Sequence, residues 1–209
     1  MSSKRLARFA HPRAIAATAV VGLVGSYLVA VQDPVPQWEL NLTEWINGAP
    51  DVLAYLLYPI MQLGTLVGPA AVAIAAVWLG RDRLLAVASI IAGLVAWFGA
   101  KALKQMIERS RPMEFLPDVD VREGSGEGLG YISGHSAVAA TAAVMAMAML
   151  PRRWRPVAVA VAALVGIARI IYGVHLPADV VGGWSFGTLI GLGSLAAVDA
   201  VEKRQRAKS

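Results

Sequence analysis

Six apolar runs alternate with polar segments along the chain. They cover residues 14–31, 52–79, 84–107, 135–150, 157–174 and 180–200. Most of them reach the ~17–25 residues that a helix needs to cross the hydrocarbon core of a bilayer. Because every backbone polar group inside lipid must be paired internally, such runs predict helices, and the strand-like alternation of a barrel is absent. The pattern therefore predicts an all-α, polytopic membrane helix bundle with about six transmembrane helices.

Three of the runs depart from a simple span. The run 52–79 contains two prolines and two glycines, so we expect it to be kinked or to begin as an interfacial segment. The run 135–150 is the shortest. The run 14–31 follows the basic stretch "KRLAR" like a secretory signal, but its ~18 apolar residues exceed the 7–15 of a typical signal core, and we interpret it as a transmembrane helix.

Composition supports the membrane interpretation. Hydrophobic residues make up 57% of the 209 residues and charged residues 16%, whereas soluble domains carry about 25% charged residues. The mean hydropathy is +0.58. The chain contains no cysteine, which excludes disulfides and cysteine-ligated zinc.

The net charge of +5 is distributed unevenly between alternate polar segments. Thirteen of the 19 lysines and arginines lie in residues 1–13, 80–83, 151–156 and 201–209. By the positive-inside rule these segments face the cytoplasm. We expect the basic tails to set the topology and to contact anionic lipid, and we expect no nucleic-acid partner.

The remaining polar segments, residues 32–51 and 108–134, hold ten of the 14 acidic residues and only three arginines. These two segments are predicted to lie on the extracytoplasmic face of the membrane. The chain is then a single membrane domain, 1–209, with the bundle at 14–200 and basic cytoplasmic tails at 1–13 and 201–209.

Two stretches of these outer segments invite interpretation. The sequence "VPQWELNLTEWING" predicts an amphipathic segment at the interface, with Trp38 and Trp45 held at headgroup level. The Gly-rich, acidic residues 113–131 are long enough for a lid over a site, and a flexible connector is an equal alternative.

Cations occur where an apolar environment makes them costly. Lys101, Lys104 and Arg169 lie within or at the ends of apolar runs, where a charge costs ~2.5–3.5 kcal/mol near a helix centre. Lys101 can extend its ammonium to the interface. Lys104, Arg111 and Arg169 collect at the predicted outer face, and three cations at low dielectric suit an anion with several oxygens.

Two histidines accompany these cations. In "SGH", which ends at His135, Ser133 is predicted to be an N-cap and Gly134 allows close backbone approach. The free N–H groups and the dipole at this helix N-terminus form a phosphate site. In "VHLPAD", Asp179 follows His175 by four residues and can hold one imidazole N–H, which activates a histidine nucleophile. The alternative is that His175 and Asp179 only cap the last helix.

Three motifs in order now resemble a known family. They are "KQMIERSRP" with Lys104 and Arg111, "SGH" at residues 133–135, and "ARIIYGVHLPAD" with Arg169, His175 and Asp179. This pattern resembles the type 2 phosphatidic acid phosphatase and vanadium haloperoxidase superfamily, in its six-helix membrane branch. The resemblance covers roughly residues 51–200. Ile132 replaces the family's usual proline and Ala168 its usual serine, which puts rate and substrate preference in question more than reaction type.

The resemblance implies a role for each matching residue. His175 would attack phosphorus, His135 would protonate the leaving oxygen and then activate water, and Asp179 would orient His175. The phosphoryl oxygens would be held by Lys104, Arg111, Ser133, Gly134 and Arg169. Since three fixed cations can stabilise the transferred phosphoryl group, we expect neither a metal nor another cofactor.

The sequence therefore predicts an integral membrane lipid phosphatase of the bacterial inner or plasma membrane, with an extracytoplasmic site and a phosphohistidine intermediate. Candidate substrates are a polyprenyl diphosphate or phosphate, which we favour, phosphatidylglycerophosphate and phosphatidic acid. The alternative is a non-enzymatic transporter or anion- and lipid-binding protein, although charges at one face rather than at mid-membrane disfavour a transporter. The sequence leaves the oligomeric state open.

Overall fold

The computed structural model describes residues 5–80 and 82–208. Within these ranges the chain forms eight α-helices joined by short turns and one long connection, and no β-strand beyond an isolated antiparallel bridge between Ser110 and Leu129. The helices are α1 (Pro12–Ala30), α2 (Gln37–Asn47), α3 (Asp51–Met61), α4 (Val67–Gly80), α5 (Arg83–Ile107), α6 (Gly134–Met147), α7 (Arg155–Ile171) and α8 (Pro177–Arg206). The predicted all-α class is confirmed.

Four helical segments are long and apolar enough to cross a membrane. They are α1, α5, α7 with its preceding turn, and α8. A fifth span exists if α3 and α4 count as one, since they are bent by 65° at a short break. The predicted kink in this run is therefore confirmed. Gly68 makes the break possible, because a Cβ there would lie 2.1 Å from the Leu63 carbonyl oxygen.

The sixth predicted span, α6, is shorter than the others. Its 14 residues extend for only ~21 Å, against ~30 Å for a bilayer core. This helix is buried along nearly its whole length and packs mainly against α8, α7 and α5. A helix enclosed by other helices need not match the lipid thickness. The count of six transmembrane helices stays a prediction.

Small residues let α6 and α8 approach each other closely. A Cβ at Gly187 would lie 2.0 Å from the Ala137 carbonyl oxygen, and one at Gly183 would lie 2.5 Å from that of Ser133. Thr141 Oγ1 adds a hydrogen bond of 2.9 Å to the Gly187 carbonyl oxygen. Close backbone packing between small residues is a common basis of helix association in membranes. It fixes the N-terminus of α6 against the first turns of α8.

The polar segments meet at the two ends of the bundle in the grouping that the charge pattern predicts. At one end, Arg5 bonds to Asp82 at 2.6 Å and to Glu202 at 2.7 Å, which joins the N-terminal arm, the α4–α5 turn and the end of α8. At the other end, Arg122 bonds to Asp51 at 3.0 Å. The sequence boundary at 201 is not a structural one, since α8 continues to Arg206. Parts of the predicted basic segments, residues 1–4, 81 and 209, lie outside the described residues.

Candidate active site

The turn between α7 and α8 places a histidine beside a carboxylate. Pro177 occupies the first position of α8, where its missing N–H costs nothing, and Asp179 lies in the same first turn. Asp179 Oδ2 accepts a hydrogen bond of 3.0 Å from the Leu176 N–H and lies 3.3 Å from His175 Nδ1. Both side chains are buried. With Nδ1 protonated toward Asp179, the His175 Nε2 lone pair is left for another partner.

The surroundings of His175 favour its neutral form. Burial lowers the pKa of His175 well below its usual range, and the nearby charges of Lys104, Arg169 and Arg111 lower it further. A neutral imidazole with an oriented ring has the lone pair that a nucleophile requires.

The second histidine lies at the start of α6. Ser133 is the N-cap, as expected, and its fully buried hydroxyl oxygen accepts from the Ser136 N–H at 3.4 Å. His135 is half-buried and packs its ring edge-on against Trp97 at 6.0 Å between centroids. Gly64 lies beneath it, since a Cβ there would come within 2.8 Å of the His135 carbonyl oxygen. The α3–α4 break thus supports the position of His135.

Lys104, in the last turn of α5, bonds to the long connection before α6. Its Nζ donates to the carbonyl oxygens of Leu129 and Gly130, at 2.8 and 2.7 Å. Because an ammonium has three donors, one remains for a ligand. Arg111 Nε lies 3.5 Å from the Leu129 carbonyl oxygen, at the limit of a hydrogen bond.

Arg169 is the most deeply placed of the three cations. It is buried near the end of α7, with Nη1 3.3 Å from Met61 Sδ and paired with the Glu123 carboxylate. Its Nε is buried and has no hydrogen-bond partner among the described residues. A buried guanidinium donor without an acceptor is costly, so an anionic oxygen would satisfy it.

The structure brings the eight predicted site residues to one end of the bundle. They are Lys104, Arg111, Ser133, Gly134, His135, Arg169, His175 and Asp179, drawn from α5, the connection after it, α6, α7, the α7–α8 turn and α8. Lys101 does not join them; it is exposed and lies over the Trp97 and Phe98 rings at 5.5 and 5.9 Å. The two family departures, Ile132 and Ala168, are both fully buried.

Sequence reasoning missed two residues of the site. Arg109 contacts Asp179 directly, and Glu39 contacts Arg109. Arg109 Nη1 donates to Asp179 Oδ1 at 3.0 Å and to Glu39 at 3.3 Å. A signal was present in α2, where Glu39, Thr43 and Asn47 recur every four residues and are the buried positions. The interpretation of α2 as an interfacial segment relied on Trp38 and Trp45, which are indeed exposed, and overlooked this polar stripe.

The long connection between α5 and α6 is tied down at several points. Arg122 bonds to Asp51 and to the Asn47 carbonyl oxygen, and the Asn47 side chain bonds to the backbone of Asp120. Glu123, which follows Arg122 in the sequence, pairs with Arg169. The connection therefore lies over the cationic group, and a lid function for residues 113–131 stays a prediction.

Across residues 5–80 and 82–208, no cluster of three or more His, Cys, Asp or Glu side chains is arranged to hold a metal ion. Positive charge that acts on His175 comes from the side chains of Lys104, Arg169 and Arg111.

Comparison with known proteins identifies relatives. A curated Undecaprenyl-diphosphatase from Sulfolobus acidocaldarius is 28% identical over 110 residues, which is 53% of each chain, so this chain spans about half the length of the curated relative it matches. Among solved structures, Aquifex aeolicus LpxE is 24% identical with a TM-score of 0.66, over 77% of this chain and 96% of that one. The first transmembrane PAP2 type phosphatidylglycerolphosphate phosphatase from Bacillus subtilis is 20% identical with a TM-score of 0.71, over 90% and 96%.

At these identities the solved structures establish a shared fold, and the predicted membrane helix bundle is confirmed. The model of the PAP2 superfamily matches residues 83–203, which is more than half of the chain and includes all three motifs. The chain is thus an integral membrane protein that belongs to the PAP2 superfamily.

Proposed function

We propose that this protein is a membrane lipid phosphatase that hydrolyses a lipid phosphate or diphosphate at the extracytoplasmic face. The observation that carries the proposal is the buried contact between His175 Nδ1 and Asp179 Oδ2, together with the positive charges of Lys104, Arg169 and Arg111 that act on this imidazole. An oriented neutral imidazole surrounded by arginine and lysine suits nucleophilic attack on a phosphoryl group. A protein that only binds anions has no need of such a nucleophile.

The first step transfers the phosphoryl group to the enzyme. His175 Nε2 attacks phosphorus, a P–N bond forms, and the P–O bond to the lipid breaks. Lys104, Arg111 and Arg169 offset the negative charge spread over the equatorial oxygens, with Ser133 and the Gly134 N–H as further donors. His135 gives a proton to the departing oxygen.

The second step releases phosphate. His135, now neutral, takes a proton from a water molecule as that oxygen attacks phosphorus, and the P–N bond breaks with return of its electron pair to His175. The products are inorganic phosphate and the enzyme in its starting protonation state. Because fixed cations provide the charge stabilisation, no metal takes part in this scheme.

The lipid itself is proposed from the site's surroundings and its relatives. A polyprenyl diphosphate is our favoured substrate, supported by the curated relative named as an Undecaprenyl-diphosphatase. An apolar cavity of about 180 Å³ between α4, α6 and α7 is lined by Ala139, Ala142 and Ala146 among others. These alanines follow His135 at helical spacing on one face of α6, so a hydrocarbon chain could extend there from a phosphate bound at the site.

The test is phosphate release from a panel of lipids by purified protein in detergent. Undecaprenyl diphosphate, undecaprenyl phosphate, phosphatidylglycerophosphate and phosphatidic acid are compared with excess chelator present and with added vanadate. We expect chelator-resistant release, inhibited by vanadate as a mimic of pentacoordinate phosphorus. Activity that disappears with chelator and returns with Mg²⁺ would refute the metal-free scheme.

A further inference from the structure

A buried ion network lies behind Asp179, on the side away from His175. Arg109 bridges two carboxylates, since its Nη1 donates to Asp179 Oδ1 at 3.0 Å and to Glu39 Oε1 at 3.3 Å. Its Nη2 donates to Glu39 Oε2. Glu39 and Asp179 are 0% exposed and Arg109 is 6% exposed. The phosphatase scheme above uses Asp179 but neither of its two neighbours in this network.

The two carboxylate oxygens of Asp179 have different partners. Oδ1 accepts from Arg109, while Oδ2 accepts from the Leu176 N–H at 3.0 Å and faces His175. Rotation of the carboxylate would break the bond to Arg109. Arg109 is itself held in place by two contacts to Glu39, so the orientation of Oδ2 depends on both residues.

Glu39 also fixes the helix that carries Asp179. Its Oε1 accepts a hydrogen bond of 2.8 Å from the Ala178 N–H, one of the free donors in the first turn of α8. A carboxylate at a helix N-terminus interacts favourably with the helix dipole. The carboxylate of α2 thus sets both the position of the first turn of α8 and the arginine that holds Asp179.

Two carboxylates share one guanidinium in this network, since Arg109 pairs with both Glu39 and Asp179. Burial by itself lowers the pKa of Arg109, but the charges of Asp179 and Glu39 outweigh this and raise it, so Arg109 stays charged. The titratable and charged groups of other elements that act on His175 electrostatically are Lys104, Arg169, Arg111 and His135.

We propose that Glu39 and Arg109 are positioning residues that hold Asp179 so that His175 keeps Nδ1 protonated and Nε2 free for attack. This proposal rests on the proposed phosphatase function. It gives α2, which precedes the matched family region at residues 83–203, a part in preparing the nucleophile. A purely structural network would instead hold α2 on the bundle without affecting the imidazole.

The test uses substitutions that remove charges of opposite sign from one network. Glu39→Gln removes a negative charge and keeps an acceptor for Ala178, whereas Arg109→Gln removes the positive charge. Arg109→Lys keeps the charge but cannot bridge two carboxylates with a planar fork. Arg122→Lys is the matched control, because Arg122 also forms ion pairs at this end of the bundle and has no hydrogen bond or ion pair to Asp179.

The kinetic readout is the pH profile of kcat/KM on p-nitrophenyl phosphate, compared between variants so that ionisation of the substrate cancels. The low pKa of His175 predicts a wild-type acidic limb below the ordinary value of ~6.5. Glu39→Gln should move this limb to lower pH and Arg109→Gln to higher pH. Both should lower kcat by about tenfold to a hundredfold with little change in KM, since neither residue touches the phosphate.

The second readout is independent of turnover. The chain has three histidines, so ¹⁵N-histidine labelling gives few imidazole signals. The imidazole signals that disappear in the His175→Asn variant are those of His175. We expect an Nδ1–H tautomer in the wild type, a smaller population of it in Glu39→Gln, and recovery toward the wild type in Arg109→Lys relative to Arg109→Gln. Arg122→Lys should leave both the acidic limb and the tautomer unchanged.

Each result has a defined meaning. Opposite shifts of the acidic limb support positioning, while equal shifts, or lower thermal stability with no shift and an unchanged tautomer, overturn it. If Arg109→Gln does not fold, the direction of the Glu39→Gln shift decides. If the wild type releases no phosphate from any substrate, the phosphatase proposal fails, and the tautomer measurement still decides whether Glu39 and Arg109 control His175.

Discussion

At the scale of single residues, the two histidines occupy different environments that suit different tasks. His175 is buried and faces the Asp179 carboxylate. His135 is half-buried against Trp97, and within the described part of the chain no carboxylate hydrogen-bonds to it. A histidine with a fixed ring and a free lone pair suits attack, and one closer to solvent suits exchange of protons with a leaving group and water.

This difference predicts how each loss depends on the leaving group. A lipid alkoxide needs a proton in the transition state, and such general acid help is worth about 10²–10⁴-fold, whereas a nitrophenolate needs almost none. His135→Ala should therefore lose much more activity on a lipid monophosphate than on p-nitrophenyl phosphate. His175→Ala should be near background on both substrates.

Rapid-quench measurement of the first, phosphoenzyme-forming burst is the sharpest comparison, because His135 also acts in the second step. If the two alanine variants lose activity in the same ratio on both substrates even in the burst, the division of roles is incorrect.

At the scale of elements, the connection between α5 and α6 places an acidic side chain on a cation of the site. Glu123 pairs with Arg169, and the Glu123 side chain is 37% exposed. A phosphate oxygen at the unpartnered Arg169 Nε would be repelled by this carboxylate, which pairs with Nη1 of the same guanidinium. The contact therefore predicts that the connection weakens anion binding in the unoccupied enzyme.

Glu123→Gln removes the charge at nearly constant shape. We expect KM for p-nitrophenyl phosphate and Ki for vanadate to fall by about twofold to fivefold, since a partly exposed ion pair is worth ~0.2–1 kcal/mol, with kcat little changed. Glu127→Gln, at an exposed position of the same connection, is the control. A rise in KM would show that Glu123 assists binding instead of competing with it.

The apolar cavity beside α6 makes a separate prediction about the lipid chain. Ala146 lines this cavity, and a phenylalanine there would fill space that we assign to hydrocarbon. Displacing two methylene groups at ~0.8 kcal/mol each should reduce kcat/KM for undecaprenyl diphosphate roughly tenfold. Activity on p-nitrophenyl phosphate should persist.

Ala160→Phe, at an exposed position of α7, controls for the added bulk. Equal losses on the lipid and on p-nitrophenyl phosphate would indicate distortion of the bundle rather than blocked binding of the chain.

Elements also show where sequence reasoning succeeds and where it stops. The kink near Gly68, the N-cap at Ser133 and the start of α8 at Pro177 follow from local chemistry, and the structure has all three. The burial of Glu39 does not follow from local chemistry. Its partners lie 70 and 139 residues away in sequence, and only the packed bundle brings them together.

The same limit applies to the cations of the site. The positive-inside rule fixes which helix ends meet. From it the sequence places Lys104 and Arg169, near the ends of α5 and α7, at the same end of the bundle as Arg111 in the connection after α5. It does not reveal that Arg169 is covered by Glu123 or that Lys104 bonds to the backbone before α6. Those contacts depend on the path of a long connection with few periodic features.

At the scale of the whole molecule, the charge asymmetry predicts which end of the bundle faces the cytoplasm. Single-cysteine labelling tests this directly because the chain contains no native cysteine. Ser125→Cys, in the exposed part of the α5–α6 connection, should react with an impermeant reagent in intact cells. Arg153→Cys, exposed at the opposite end, should react only after permeabilisation.

The reverse labelling pattern would place the site in the cytoplasm. It would overturn the proposed sidedness and with it the argument for an extracytoplasmic lipid substrate, while leaving the chemistry at His175 unaffected.

The central claim is that this bundle hydrolyses a lipid phosphate through His175. Its most direct test is phosphate release from undecaprenyl diphosphate, undecaprenyl phosphate, phosphatidylglycerophosphate and phosphatidic acid, in excess chelator, by the purified wild type and by His175→Asn. Asparagine keeps a donor for Asp179 but removes the nucleophilic nitrogen. We predict sustained release from at least one of these lipids by the wild type and background release by the variant. No release from any of them, or equal release by both proteins, would contradict the account.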